Sequence, residues 1–124
     1  MLVASDPVRA YRSSHFEARL LAANPQDMVL MCLDDLLANL VRFEHAELRE
    51  DREVRSDALT RCVTSLTALE MGVDRSAPLG AALVQVYAGS KKALLGMLVS
   101  TDVTRLREIK SDFQEIRQSF AGAA

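Results

Sequence analysis

Apolar residues return every third or fourth position along most of this chain, the period of one helix face. No stretch alternates apolar and polar residues as a half-buried strand does, and no Asn-Gly or Asp-Gly hairpin signal occurs. The first long pattern opens at Asn24. Asn24 can cap a helix, Pro25 suits its first position, and Asp27 favours the positive helix end. The stripe then runs Val29, Leu33, Leu36, Leu40, Phe43 and Leu48, and the polar cluster Glu47 to Glu53 holds a turn. A second helix is predicted from about Glu53 to Met71, with Leu59, Cys62, Val63, Leu66 and Leu69 on one side. Gly72 would stop it in the left-handed conformation that glycine adopts without strain.

A loop follows over Asp74 to Pro78. The third helix is predicted from Ala77–Leu79 to near Val99, on a stripe of Leu79, Leu83, Val86, Tyr87, Leu94 and Leu98. Ser100, Thr101 and Asp102 supply the break and the next cap. The fourth helix carries Leu106, Ile109, Phe113, Ile116 and Phe120 in strict 3-4 alternation, the narrow stripe of a helix on the outside of a bundle. Pro7, Pro25 and Pro78, the only prolines, fall between these patterns, where proline breaks no helical hydrogen bond. Four helices of roughly 18 to 26 residues joined by short turns predict an all-α, antiparallel up-down-up-down four-helix bundle. The bundle takes residues 23–121 as one domain; residues 1–22 form a leader segment packed on it.

Two places carry more apolar surface than one core face requires. At the start of helix one, Met28, Leu30, Met31 and Cys32 point away from the Val29–Leu33–Leu36 stripe, within an apolar run of six residues, Met28 to Leu33. On helix three, a flank bears Ala81, Val84, Ala88 and Leu95, with Val99 at its end; Ala82, Gly89, Ser90, Ala93 and Gly96 lie on the same helix. Small residues let a neighbouring helix approach closely, and each interior glycine costs up to about 1 kcal/mol against alanine. Two readings of these surfaces stand: a wide core face, or a groove for a partner's amphipathic helix, where methionines adapt their shape. The leader contributes Tyr11, Phe16, Leu20 and Leu21, the pattern of a short amphipathic segment or a detachable lid.

Composition narrows the function. The 124 residues are 49% apolar and 26% charged, the balance of a folded chain. Fifteen basic and seventeen acidic side chains leave a net charge of −2 with no basic run, against a general nucleic-acid or anionic-membrane binder. The longest apolar run falls far short of the roughly 20 residues that span a bilayer. No basic segment precedes an apolar one at the N-terminus, so a cytoplasmic location is expected. Cys32 lies 18 residues before Glu50 and Cys62 lies 12 after it. On adjacent antiparallel helices they would be offset by about 9 Å, too far for a bridge, so both are expected as small buried residues.

Converging polar chemistry is scarce. No Glu-x-x-His occurs, which bundles use to bind metal, and there is no phosphate loop, nucleophile elbow or Cys-x-x-Cys. His15 lies in the leader. His45 would be the phospho-acceptor of a phosphotransfer bundle, but Ala46-Glu47-Leu48-Arg49 lacks the lysine and glycine such a site needs. Asp34 and Asp35 are adjacent on a helix and point about 100° apart, so they form a polar edge and no acid–base pair. An interaction protein without cofactor or metal is expected in place of an enzyme; a signalling bundle on His45 and a self-associating structural bundle are the alternatives.

The order of motifs resembles the flagellin-specific export chaperone family, FliS. Tyr11 stands where that family has a leader tyrosine, Ala23-Asn24-Pro25 where it starts helix one, and Leu33-Asp34-Asp35 where it has a Tyr-Asp-Gly-like element. Val73-Asp74, Val86-Tyr87, Asp102 and Phe120 fall at its Leu-Asp, Leu-Tyr, helix-four Asp and closing Trp. The resemblance covers about Tyr11 to Phe120; no glycine follows Asp34 and no tryptophan closes helix four. It implies a cytoplasmic chaperone, monomeric when free, that holds the C-terminal segment of flagellin and prevents premature polymerisation before type III export. It also implies that the leader occupies part of the binding surface and is displaced. On that basis Tyr11, Phe16, Met28, Met31, Val84, Ala88, Leu95 and Val99 are the candidate partner-binding residues, and other flagellar assembly regulators are further candidate partners.

Overall fold

The structure, a computed structural model, describes residues 25–122. The Asn24 cap and the whole leader, with Tyr11, Phe16 and His15, lie outside the described residues. Four helices follow: α1 (Pro25–Leu48), α2 (Arg52–Met71), α3 (Gly80–Leu95) and α4 (Val103–Gly122).

Helix α1 begins on Pro25 and has Asp27 in its first turn. Cys32, Leu33, Leu36, Leu40, Phe43 and Ala46 are its buried apolar residues. Leu48, expected at the end of that stripe, is exposed. It stands five residues past Phe43, about 140° round the helix, and Ala46 fills the last core position instead. The chain then reverses within three residues. Glu50 takes a left-handed φ of 57°, while the Asp51 N–H reaches Ala46 O at 2.9 Å and the Glu50 N–H reaches Glu47 O at 3.2 Å. These are the paired bonds that close a helix C-terminus through one left-handed residue. The Asp51 carboxylate then accepts from the Val54 N–H at 3.1 Å and caps α2. One residue closes the first helix and opens the second.

Helix α2 buries Ala58, Leu59, Cys62, Ser65, Leu66 and Leu69. It does stop at Gly72, but with φ at −85°, a right-handed conformation, and its N–H is shared between Ala68 O and Leu69 O. The last turn tightens instead of reversing hand. In the loop that follows, Asp74 accepts from the Ser76 N–H and hydroxyl at 3.0 and 2.6 Å. That tight turn brings the Asp74 carbonyl against Gly80, where a Cβ would lie only 2.2 Å away. Here glycine is required.

Helix α3 is shorter than its pattern suggested, ending at Leu95 and not near Val99. The Met97 N–H bonds Leu94 O and the Leu98 N–H bonds Leu95 O, so the backbone narrows into a turn over Gly96 to Leu98. Its core residues are Tyr87, Ser90 and Leu94, continued by Met97 past the helix end. Leu79, Val86 and Leu98, expected in that stripe, are exposed. Val86 is one residue, about 100°, off Tyr87, and Leu79 and Leu98 lie beyond the two helix ends. Asp102 caps α4 by accepting from the Arg105 N–H at 3.0 Å, and Leu106, Ile109 and Phe113 are buried as the pattern predicts.

Each helix packs beside its sequence neighbours, and α4 returns to lie against α1; α1 and α3 are diagonal. Antiparallel order is marked by ion pairs between α1 and α4, Glu44 with Arg107 at 3.1 Å and Asp34 with Arg117 at 2.7 Å. The all-α four-helix bundle is as expected. Its thinnest side is α3 against α4, where the core is bridged by the Tyr87 and Phe113 rings. Cys32 and Cys62 are both free and buried. Cys32 therefore belongs to the core and not to the surplus surface of α1.

Candidate functional site

Helix α3 presents two apolar flanks to either side of its outward face. Lys91 pairs with Glu70 of α2 at 2.9 Å and so marks the flank beside α2. Val84, Ala88 and Leu95, seven and three residues before Lys91 and four after it, share that flank. Val84 and Ala88 are half-buried there, while Leu95 is 44% exposed. Val99 lies past the helix end and is 95% exposed.

The opposite flank holds Ala82, Val86, Gly89, Ala93 and Gly96, at successive spacings of four, three, four and three. That is the seam spacing by which one helix meets another. Ala82, Gly89 and Gly96 are exposed, Val86 is 39% exposed and Ala93 is half-buried. These residues face the thin α3–α4 side. A groove of about 480 Å³ opens there, walled by Gly89 and Ala93 from α3, by Gly96 and Asp102 from the linker between the helices, and by Arg105 from α4.

Gly89 carries the most information. A methyl group placed on it would meet, beyond its chain neighbours and its own helix backbone, no atom of the described fold within 4 Å. A glycine inside a helix costs about 1 kcal/mol relative to alanine. The fold itself has no steric use for this one, in contrast to Gly80. What a missing side chain does provide at an exposed groove is close approach for another backbone.

The candidate residues of α1 do not join this surface. Met28 is 41% exposed and Met31 half-buried, but α1 lies diagonally across the bundle from α3. Asp34 and Asp35 form two separate contacts: Asp34 pairs with Arg117 across to α4, and Asp35 accepts from the Ser65 hydroxyl of α2 at 3.0 Å. His45 is exposed in the last turn of α1. Among the described residues no group of three or more His, Cys, Asp or Glu side chains could hold a metal ion, and no helix is long and apolar enough to cross a membrane. Val86, placed in the core from sequence, is instead an exposed residue of this flank, and the 4-3-4-3 spacing through Ala82 and Gly96 was the signal for it.

An exposed seam-spaced helix flank with a groove beside it is the kind of surface on which another helix can pack. The chain belongs to the FliS family of flagellar export chaperones: the family profile described as flagellar protein FliS matches residues 7–124. Comparison with curated proteins finds no match.

Proposed function

We propose that this chain is a cytoplasmic chaperone for flagellin, acting by binding alone, without catalysis or cofactor, on the C-terminal segment of its client. The observation that carries this reading is the exposed flank of α3 with its sterically unused Gly89, joined to the family membership. An apolar helix of the client would seat its ridge along Ala82, Val86, Gly89, Ala93 and Gly96, with Gly89 allowing the two backbones to come close. The second flank, Val84, Ala88 and Leu95, and the projecting Val99 would take a further part of the wrapped segment. Tyr11, Phe16, Met28 and Met31 complete the candidate set: the leader, residues 1–22, covers apolar surface in the empty protein and is displaced by the client.

The energetics suit a holding role. Each Å² of apolar surface covered favours binding by about 25 cal/mol, offset by the ordering of a disordered tail. A client so held cannot use the same apolar residues to polymerise. The free chaperone is monomeric in this account, since the flank is reserved for the client.

Titration calorimetry with a peptide of the cognate flagellin C-terminus tests the proposal. Binding with a negative heat-capacity change is expected. Val84→Asp and Leu95→Asp should weaken it while far-UV circular dichroism stays nearly unchanged. Absence of binding to the unaltered protein overturns the reading.

A further inference from the structure

Arg55, near the start of α2, is a heavily engaged side chain, and three of its acceptors are far away in sequence. Its Nη1 donates to Leu98 O at 3.1 Å and its Nη2 to Met97 O and to Thr101 Oγ1, the last at 2.8 Å. Its Nε lies 3.2 Å from Glu47 Oε1 and 3.1 Å from Thr101 Oγ1. The guanidinium also stands over the Phe43 ring, 5.2 Å from its centroid, and the side chain is only 14% exposed. Hydrogen bonds from Thr101, then from Arg55, hold the Glu47 carboxyl below its ordinary range.

All the distant acceptors lie in one place, the linker from Gly96 to Asp102 that ends α3 and starts α4. That linker is also the end wall of the α3–α4 groove, through Gly96 and Asp102. With the Met97 and Leu98 carbonyls drawn in towards Arg55, the Met97 side chain is buried and those of Leu98 and Val99 project outward. On the other side of the linker a second concavity, about 730 Å³, has Arg55, Leu98 and Val99 in its wall.

We infer that Arg55 is a positioning residue for client docking: it tethers the α3–α4 linker so that the end of the groove and the Leu98–Val99 projection are formed before the client arrives. This rests on the docking surface proposed above. A planar fork with five donors can hold two carbonyls, a hydroxyl and a carboxylate together; the single ammonium of lysine cannot. Once the tether is lost, binding has to order the linker, and ordering even one residue's backbone is equivalent to about a tenfold loss of affinity.

The test compares Arg55→Lys, the milder Thr101→Val and, as a control, Leu69→Ala at the far end of α2. Native-state hydrogen exchange and calorimetry with the flagellin C-terminal peptide are measured on each. Arg55→Lys should lose exchange protection over residues 97–103 and bind about tenfold more weakly; Thr101→Val should lose part of both. Leu69→Ala should lose global stability yet bind within about twofold of the unaltered protein. Unchanged protection over 97–103 in Arg55→Lys overturns the tether whatever the peptide does. Unchanged affinity, or an equal loss in Leu69→Ala, overturns the positioning role. If the unaltered protein binds no peptide, the docking reading falls, and the role assigned to Arg55 falls with it.

Discussion

Tyr87 and Phe113 stack at the centre of the bundle, ring centroids 6.0 Å apart and planes 17° from parallel. Tyr87 comes from α3 and Phe113 from α4, the two helices with the least contact between them. The groove can therefore be shallowly backed on this side without the core being open, since two large buried rings close it from within.

Phe113→Ala is expected to destabilise the fold by about 3–5 kcal/mol, the range for deleting a buried aromatic ring. Chemical denaturation checks it, together with exposure to an apolar dye. Because the ring backs the α3–α4 side, the variant should bind dye in conditions where the unaltered protein does not.

Glu50 holds a left-handed φ of 57° where glycine usually sits. Glu50→Gly should stabilise the protein by roughly 1 kcal/mol by removing the clash between Cβ and backbone. A rise in denaturation midpoint with an unchanged slope is the expected signature. The reverse design, Glu50→Val, should cost more than Glu50→Ala.

The core stripe of α1, Leu33, Leu36, Leu40 and Phe43, could be read from sequence because a bundle core repeats at the helix period and nothing else competes there. The four apolar residues placed wrongly, Leu48, Leu79, Val86 and Leu98, lie at helix ends or beside another apolar residue at equally good spacing. Leu83 is followed by Val86 at three and Tyr87 at four, and only the contact with Phe113 decides between them. Just past the early end of α3, Arg55 holds the linker through acceptors 42 to 46 residues away. No local pattern carries that. Glycine counts alone also did not separate Gly80, demanded by the Asp74 carbonyl, from Gly89, demanded by nothing within the described fold.

Burial pushes the Cys62 thiol up to about 12 from an ordinary 9.0, with Asp35 adding to the effect, and burial raises Cys32 as well. Both thiols are bound to be protonated in the folded protein while the unfolded chain releases its protons earlier. The unfolded state then binds fewer protons between pH 9 and 12, so stability should be full below about pH 9 and fall as pH rises towards 12. Denaturation across that window should give a shallower decline for Cys62→Ala than for the unaltered protein. Alkylation at neutral pH should be slow until denaturant is added.

If α3 offers its Ala82–Gly96 flank to a client helix, calorimetric titration of the flagellin C-terminal peptide into the unaltered protein and into Gly89→Leu will separate the two. The added Cβ enters open space at an exposed position, so the variant should fold and gain about 0.5–1 kcal/mol of stability from helix propensity. The peptide should bind the unaltered protein and bind this more stable variant at least tenfold more weakly. Binding of equal strength to both would contradict docking on this flank.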